Sequence, residues 1–441
     1  MGPAHSKSHG LPEAPDGREQ TSLSHLRANL HPNVVGAGSN RARTKGRTWA
    51  SPCPVRSERY RPPAGHNQPK GPRTLPWPSA RENVMKISWT RLSIFLINGS
   101  LLASGGLALS ARGTGTVYTE SNASTGNQVL VFQRAADGTL TPSGVVASGG
   151  TGTGAPLASQ GALALGGDGD WLFAVNAGSN SISSFRVRNG GLELADTANS
   201  GGTTPVSIAV SGRLLYVLNQ GGTGNIVGFW VGDHGELEMI HGSSQALSST
   251  SASAEEVGFS PDQTTLVVSE KATQILDTYK VKAHGLVTGP TAHPSNGAGP
   301  YGFTFTGRDE LLVTEAAVNA VSSYDLDHGS LALVSPSVPS DGAAPCWIAA
   351  TPDGRFAFAA NAHIGTIAGF SVGREGALTF LGLTTTASIP LLDLAASRDY
   401  LYALAEGTNQ ILEYKVAGDG GLTEIGQAGS IPASAAGLVA Q

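Results

Sequence analysis

The segment LLYVLNQGGTGNIVGFWVGDHGEL, residues 214–237, decides the fold because its pattern recurs along the chain. A run of β-branched, aromatic and aliphatic residues ends at Asn219, and a second run reaches the aromatic Phe229. His234 and Gly235 follow, at a point where a tight hairpin needs positive φ. The segment therefore predicts a strand, a short loop, a returning strand and a hairpin turn.

The same unit occurs seven times after Gly115. Each copy has an Asn or Glu at the end of its first run, an aromatic at the end of its second, and a Gly-containing turn. The first-run ends are Glu120, Asn176, Asn219, Glu270, Glu315, Asn361 and Glu406. The aromatics are Phe132, Phe185, Phe229, Tyr279, Tyr324, Phe370 and Tyr414. Repeats of this length are typical of β-propeller blades.

Additional turn sequences precede the strand pairs of the later units, such as SPDQ from Ser260 and TPDG from Thr351. Each unit therefore holds four short antiparallel strands, which predicts an all-β, seven-bladed β-propeller. The first unit lacks a preceding strand, whereas SAAGLVAQ from Ser434 supplies a spare one at the C-terminus. We expect that strand to complete the first blade and to remove an open sheet edge.

The first 111 residues differ from the repeats. Residues 1–84 carry 13 Lys plus Arg and 5 Asp plus Glu without apolar periodicity, which indicates a disordered basic segment and a possible mis-assigned start. Residues 85–111 have two basic residues, an apolar stretch and a small-residue exit, which is typical of a signal peptide or signal anchor. The sequence thus predicts a propeller over 112–441 that is exported to the periplasm, the cell surface or the medium.

Composition restricts the partners of the propeller. Residues 112–441 carry 13 basic and 28 acidic side chains, a net charge of −15, so we expect no nucleic-acid partner. Cys346 is the single cysteine of this part of the chain, so there is no disulfide framework. We expect no membrane span after signal cleavage and a monomeric protein.

The repeats resemble the lactonase family of seven-bladed propellers, which includes 6-phosphogluconolactonase and carboxymuconate cyclase-like proteins, and they also resemble YVTN-repeat proteins. FAVN, YVLN, the SPD and TPDGR turns, and GAGPYGFTFTG from Gly297 carry this resemblance. It covers residues 112–441 and implies the propeller fold. It also implies a site on the channel face that acts on a sugar lactone or a muconate lactone.

The positions at which this resemblance implies catalytic groups carry other residues. Glu255 stands where a His is expected, and Tyr301 and Gly302 stand where an Arg-His pair is expected. Ala316 replaces a Glu, and Leu391 replaces an Arg. The proton-transfer group and the cation that lactone chemistry needs are therefore missing from the expected positions.

The remaining candidate site residues lie on one face of the predicted propeller, around the central channel. This is the face where the first strand of each blade begins and where the loops after the Asn- or Glu-ending strands emerge. The candidate catalytic residues are Glu255, Glu256 and Glu315, and Glu255 with Glu256 is the first pair to mutate. Only one of these two adjacent residues should face the channel. The candidate ligand-binding residues are Tyr301, Trp347, Asn361, His363 and Asp393. A rim of carboxylates and aromatics suits a neutral or cationic ligand, although the repeated Asn or Glu can instead cap its own loop.

Two functions remain open at this point. One is a binding protein for a small-molecule lactone, a glycan or an extracellular protein, and the other is an active lactonase with a rearranged acidic site. No metal or cofactor is predicted, because the histidines outside the turns lack paired ligand spacing. His234, His284 and His328 are interpreted as turn residues, and Asn122-Ala123-Ser124 fits a glycosylation sequon.

Overall fold

The computed structural model describes residues 114–188 and 191–441. The predicted basic segment and the predicted signal peptide lie outside the described residues. Within the described ranges, no helix has the length and apolarity needed to cross a membrane.

Seven antiparallel sheets, called blades here, follow one another along the chain. Blade 1 contains β1 Gly115–Glu120, β2 Gln128–Arg134 and β3 Leu140–Ala147; blade 2 contains β4 Leu163–Gly166, β5 Trp171–Asn176, β6 Ser181–Arg188 and β7 Gly191–Asn199. Blade 3 contains β8 Pro205–Ser211, β9 Leu214–Asn219, β10 Asn225–Val231, β11 Leu237–Met239 and the short β12 Gln245–Ala246.

The other blades repeat this order. Blade 4 contains β13 Ala254–Phe259, β14 Thr265–Glu270, β15 Ile275–Val281 and β16 Val287–Pro294; blade 5 contains β17 Pro300–Phe305, β18 Glu310–Glu315, β19 Ala320–Asp327 and β20 Ser330–Pro339. Blade 6 contains β21 Pro345–Ala350, β22 Phe356–Asn361, β23 Thr366–Val372 and β24 Leu378–Thr385; blade 7 contains β25 Leu391–Ser397, β26 Tyr400–Ala405, β27 Gln410–Val416 and β28 Leu422–Gly429. Four short 3₁₀ turns span Gly167–Gly169, Ala283–Gly285, Arg374–Gly376 and Glu406–Thr408.

The last strand, β29 Ala436–Ala440, closes the ring. It pairs antiparallel with β1, and Tyr118 lies opposite Val439. The first blade therefore has the strand order β29, β1, β2, β3 and takes its innermost strand from the C-terminus. The seven-bladed architecture and its closure by the C-terminal strand are both confirmed.

The second strand of each blade is buried on both faces because adjacent blades pack on it. All six residues of β9 are buried, and so are all six of β22. This explains why these strands are near-continuous apolar runs without polar alternation. Gly235 at the hairpin turn has φ +91°, as the turn prediction requires.

The repeated Asn or Glu ends the second strand, with one exception. In blade 6 the terminal Asn361 pairs with Pro345, and in blade 7 the corresponding pair is Ala405 with Leu391. Assigning Glu406 to this position was therefore wrong by one residue. Glu406 lies one position beyond the strand and begins a 3₁₀ turn.

Candidate functional site

A β-bulge at the start of the innermost strand positions the side chains around the central channel. In blade 4 Ala254 pairs with Glu270, and the next pair is Glu256 with Ser269, so Glu255 is the extra residue. Bulges of this kind re-aim side chains. The same shift places Val206, Tyr301, Cys346 and Leu392 at the position of Glu255. It places Ser207, Gly302, Trp347 and Asp393 at the position of Glu256.

The side chains at the Glu256 position bind the backbone of the following blade. The Phe303 N–H donates to Glu256 Oε2 at 2.6 Å, and the Leu438 N–H donates to Asp393 Oδ2 at 3.0 Å. Ser207 Oγ accepts the Val257 N–H at 3.1 Å. Buried amides need such acceptors, so these groups hold adjacent blades together.

Blade 5 has Gly302 at this position and therefore offers no side-chain acceptor to the amide of the following blade. Gln160, from another blade, supplies that acceptor. Gln160 precedes β4, and its Oε1 accepts the Ile348 N–H at 2.9 Å. Its Nε2 donates to the Phe303 and Ile348 carbonyl oxygens at 2.9 and 3.0 Å and to Glu256 Oε1 at 3.3 Å. A Cβ on residue 302 would overlap Gln160 Oε1. The absence of a side chain at Gly302 is what admits Gln160.

The residues next to Gln160 complete a plug in the channel mouth. Trp347 Nε1 donates to the Ser159 carbonyl oxygen at 2.8 Å, and the Gln160 N–H donates to the Glu255 carbonyl oxygen at 3.1 Å. Gln160 is 9% exposed. Ser159 and Gln160, called the channel plug here, therefore connect blade 2 to blades 4, 5 and 6.

Asn122 fixes the loop that leads to the channel plug. Its Nδ2 donates to Thr153 Oγ1 at 2.8 Å and to the Ala155 carbonyl oxygen at 2.5 Å, and its Oδ1 accepts the Thr153 N–H at 3.0 Å. Asn122 is fully buried. Its amide nitrogen is thus occupied and inaccessible in this fold, which argues against the sequon as a glycosylation site.

Beside the plug lies a buried ion pair. Lys271 Nζ is 2.6 Å from Glu255 Oε1, which also accepts Ser253 Oγ at 3.1 Å. Glu255 Oε2 is buried and has no hydrogen-bond partner among the described residues. Lys271 Nζ lies 4.9 Å from the centre of the Tyr301 ring. The Lys271 side chain is 37% exposed. Within this ion pair, solvent therefore reaches the Lys271 side chain and not Glu255.

Burial dominates the electrostatics of the cluster. It holds the pKa of Glu256 well above its usual range, and it raises the pKa of Asp393 to about 7. Burial also raises the pKa of Glu255, although the hydrogen bond and charge of Lys271 oppose this rise. It raises the pKa of the Cys346 thiol to about 12. At neutral pH the Cys346 thiol is therefore protonated, and burial favours the protonated form of Glu256.

The remaining candidates occupy different surroundings. Tyr301 and Trp347 are 4% and 5% exposed and pack edge to face, with ring centres 5.3 Å apart. Asn361 is buried, with Oδ1 accepting Ser340 Oγ at 3.0 Å and Nδ2 donating to Thr366 Oγ1 at 3.0 Å. His363 is exposed on the loop after β22.

Glu315 is also fully buried. Its Oε1 accepts the Gly297 N–H at 2.7 Å and Ser322 Oγ at 2.5 Å, and its Oε2 accepts Ser337 Oγ at 2.6 Å. The rim of carboxylates and aromatics expected from the sequence is therefore mostly buried, and ligand binding by these residues stays a prediction. Most of its members are committed to bonds within and between blades.

Sequence reasoning missed two residues of this cluster. Lys271 directly follows the strand-end residue Glu270. Comparing the residues that follow each strand end would therefore have identified it. Gln160 lies in the longest interval between strand ends, from Glu120 to Asn176. No group of three or more His, Cys, Asp or Glu side chains in the described ranges is arranged to hold a metal ion.

Comparisons with known proteins place this architecture in context. The family described as lactonase, seven-bladed beta-propeller, matches residues 124–246. The resemblance to the lactonase family is confirmed. A comparison with curated proteins found no match.

Several solved structures share the fold. A protein from Bacteroides fragilis, provisionally described as a 6-phosphogluconolactonase, is 19% identical with a TM-score of 0.60, over 75% of this chain and 99% of that one. The periplasmic gluconolactonase of Pseudomonas aeruginosa is 18% identical with a TM-score of 0.61, over 74% and 98%. A protein of unknown function from Desulfotomaculum acetoxidans is 12% identical with a TM-score of 0.61, over 74% and 98%. At these identities the likeness establishes the lactonase-type fold.

Proposed function

We propose that this lactonase-type propeller is an exported binding protein for a small neutral sugar or sugar lactone, and that it does not open the lactone. The single observation that carries this proposal is the channel plug. Gln160 occupies the channel mouth and satisfies backbone groups of blades 5 and 6. A substrate could not reach the inner carboxylates without breaking these bonds.

The acidic groups support the same conclusion. Lactone hydrolysis needs an accessible group that exchanges protons near neutrality. Asp393 has a pKa of about 7, but its two oxygens accept the Leu394 and Leu438 amides. Glu256 is buried, and its two oxygens accept the Phe303 N–H and Gln160 Nε2. The Cys346 thiol is a poor nucleophile because the reactive form is the thiolate.

A shallow surface remains for a ligand. Lys271, Ser253 and Cys346 are partly exposed at the mouth. The ammonium group of Lys271 offers hydrogen-bond donors, and Glu255 already balances its charge. Such a surface favours neutral hydroxyl-bearing ligands over strong anions. Export is proposed from residues 85–111, and a periplasmic protein occurs among the structures that share the fold.

One observation favours a second candidate, an active lactonase that uses Glu255. Glu255 Oε2 is buried, no residue in the described ranges donates to it, and Lys271 lies next to the carboxylate. A carboxylate with a free oxygen and a raised pKa can accept a proton, and the ammonium group can stabilise an oxyanion. This candidate requires the channel plug to move.

Lactone hydrolysis and ligand binding by the full chain distinguish the candidates. We expect glucono-δ-lactone to open no faster than in buffer, by pH-stat titration, with wild type and Glu255→Gln indistinguishable. We expect gluconolactone or maltotriose to raise the melting temperature, and Lys271→Ala to abolish that shift. Lys280→Ala, on an exposed lysine of blade 4, is the matched control. Saturable turnover that disappears in Glu255→Gln would establish the lactonase and contradict the binding protein.

A further inference from the structure

A recurring hydrogen bond joins one blade to the next at five places around the ring. The turn Gly before the fourth strand packs against the preceding blade, and its carbonyl oxygen accepts a hydroxyl from that blade. The donors and acceptors are Ser184 to Gly235 at 2.6 Å, Tyr216 to Gly285 at 2.8 Å, Thr278 to Gly329 at 2.8 Å, Ser323 to Gly376 at 2.6 Å, and Tyr402 to Gly138 at 2.8 Å. Five joints between blades therefore share this hydrogen bond. The donor is a Ser or Thr hydroxyl at three of them and a Tyr hydroxyl at two.

The joint between blades 6 and 7 lacks this donor. Strand register places Phe358 where Tyr216 and Tyr402 stand, and it pairs Phe358 with Gly369. Neither residue has a hydroxyl. Gly420, the turn Gly of blade 7, is buried, and no described residue donates to its carbonyl oxygen. A hydroxyl group bound here would supply the donor that the other joints take from a side chain.

A cleft opens at the same joint. It has a volume of about 230 Å³, and its walls include Phe358, Gly369, Leu381, Leu383 and Gly420. Leu381 and Leu383 are 44% and 41% exposed. An enclosed apolar cavity of roughly 150 Å³ holds benzene, so the volume of this open cleft is sufficient for one substituted ring.

We propose that this cleft binds a small ligand with an apolar ring and one hydroxyl group, such as a phenol or a ring alcohol. The hydroxyl donates to the Gly420 carbonyl oxygen, and the ring packs on Phe358 and the two leucines. The occupant's chemistry follows from the molecule itself, because tyrosine phenols make this bond at the joints after blades 3 and 7. The site is separate from the channel mouth, so it does not depend on the function proposed there.

Phenol is the probe for the test, with benzene as the matched compound that lacks the hydroxyl. We expect saturable phenol binding to the full chain by ligand-observed NMR, with benzene at least about fivefold weaker, because one hydrogen bond contributes about 1 kcal/mol. Gly369→Ser supplies the hydroxyl found at Ser323, and Phe358→Tyr supplies the one found at Tyr402. Each should weaken phenol binding by about tenfold or more.

Gly144→Ser is the control, because it adds the same group to an outer strand with nothing within 4 Å. It should leave phenol binding unchanged. The absence of saturable phenol binding would overturn the proposal, and so would equal binding by wild type and Gly369→Ser. If either variant fails to fold, the comparison of phenol with benzene on the wild-type protein decides, since equal affinity contradicts the assigned hydrogen bond.

Discussion

Blades 4 and 6 share one backbone frame and differ in chemistry. In both, the innermost strand pairs with the second strand through the same one-residue bulge. Blade 4 places charged or polar side chains at six positions where blade 6 has less polar ones. The pairs are Glu255 and Cys346, Glu256 and Trp347, Glu270 and Asn361, Lys271 and Ala362, Asp277 and Ala368, and Thr278 and Gly369.

This difference shows which features of the propeller are interchangeable. Backbone pairing sets the frame, so the frame accepts both sets of side chains. Within blade 4, however, the polar groups depend on one another, since Glu255 is bound to Lys271 and Glu270 lies beside Asp277. Exchanging one member should therefore cost more than exchanging a pair.

The largest expected effect comes from Lys271→Ala. This substitution places in blade 4 the alanine that blade 6 has at the equivalent position, Ala362, and removes one partner of the ion pair. Removing one partner leaves Glu255 buried and uncompensated, and we expect a loss of about 3 kcal/mol at pH 8 by urea unfolding. The loss should be smaller at pH 5, where the raised pKa of Glu255 lets it take up a proton.

The double variant Glu255→Cys with Lys271→Ala tests the coupling directly. It carries the blade 6 residues at both positions, so its stability should recover most of the loss. A double variant no more stable than Lys271→Ala alone would contradict the equivalence of the two blades.

Gln160→Ala should have the next largest effect, because it removes the side-chain oxygen that accepts the Ile348 N–H in place of a blade 5 side chain. The Ile348 amide would lose its partner, and we expect a loss of about 2 kcal/mol in the free energy of unfolding. Gln220→Ala, on a partly exposed glutamine of the same face, is the control. An equal effect of the two substitutions would argue against a special role for the channel plug.

Asp277→Ala places in blade 4 the alanine that blade 6 has at the equivalent position, Ala368. This substitution should change the pH dependence of stability. Burial and the hydrogen bond with Glu270 raise the pKa of Asp277 to about 7. The folded state thus holds this proton more tightly than the unfolded state, so this group lowers stability as pH rises from about 4 to 7. Asp277→Ala should remove that decline.

The Ser248 amide keeps an acceptor in this variant, because Glu270 Oε1 lies 3.1 Å away. Thermal unfolding between pH 4 and 8 gives the measurement, and Asp325→Ala, at an exposed aspartate, is the control. A decline of the same size in Asp277→Ala and wild type would exclude this carboxyl as its source.

The smallest expected effect is a gain. Gly369→Ser gives blade 6 the hydroxyl that Thr278 supplies in blade 4, so Gly420 should acquire a donor. We expect stabilisation of about 1 kcal/mol by urea unfolding, with no gain for Gly144→Ser. A loss of stability in Gly369→Ser would mean that the joint between blades 6 and 7 cannot adopt the arrangement of its neighbours.

Local patterns predicted the frame, and they failed where a side chain acts across the ring. The strand ends, the turn glycines and the spare C-terminal strand are encoded in adjacent residues, so periodicity revealed them. Gln160 binds Ile348 only because the channel brings blades 2 and 6 together, and no local pattern carries that contact. The shift of one residue at Glu406 arose because Ala405 breaks the Asn or Glu pattern.

Hydrogen–deuterium exchange at the Ile348 amide tests the central claim, that Gln160 closes the channel and completes the frame. A peptide covering residues 345–350 should exchange slowly in the wild-type protein and at least about tenfold faster in Gln160→Ala, while a peptide from β9 remains unchanged. Fast exchange of that peptide in the wild-type protein, equal to that of Gln160→Ala, would contradict the closed channel.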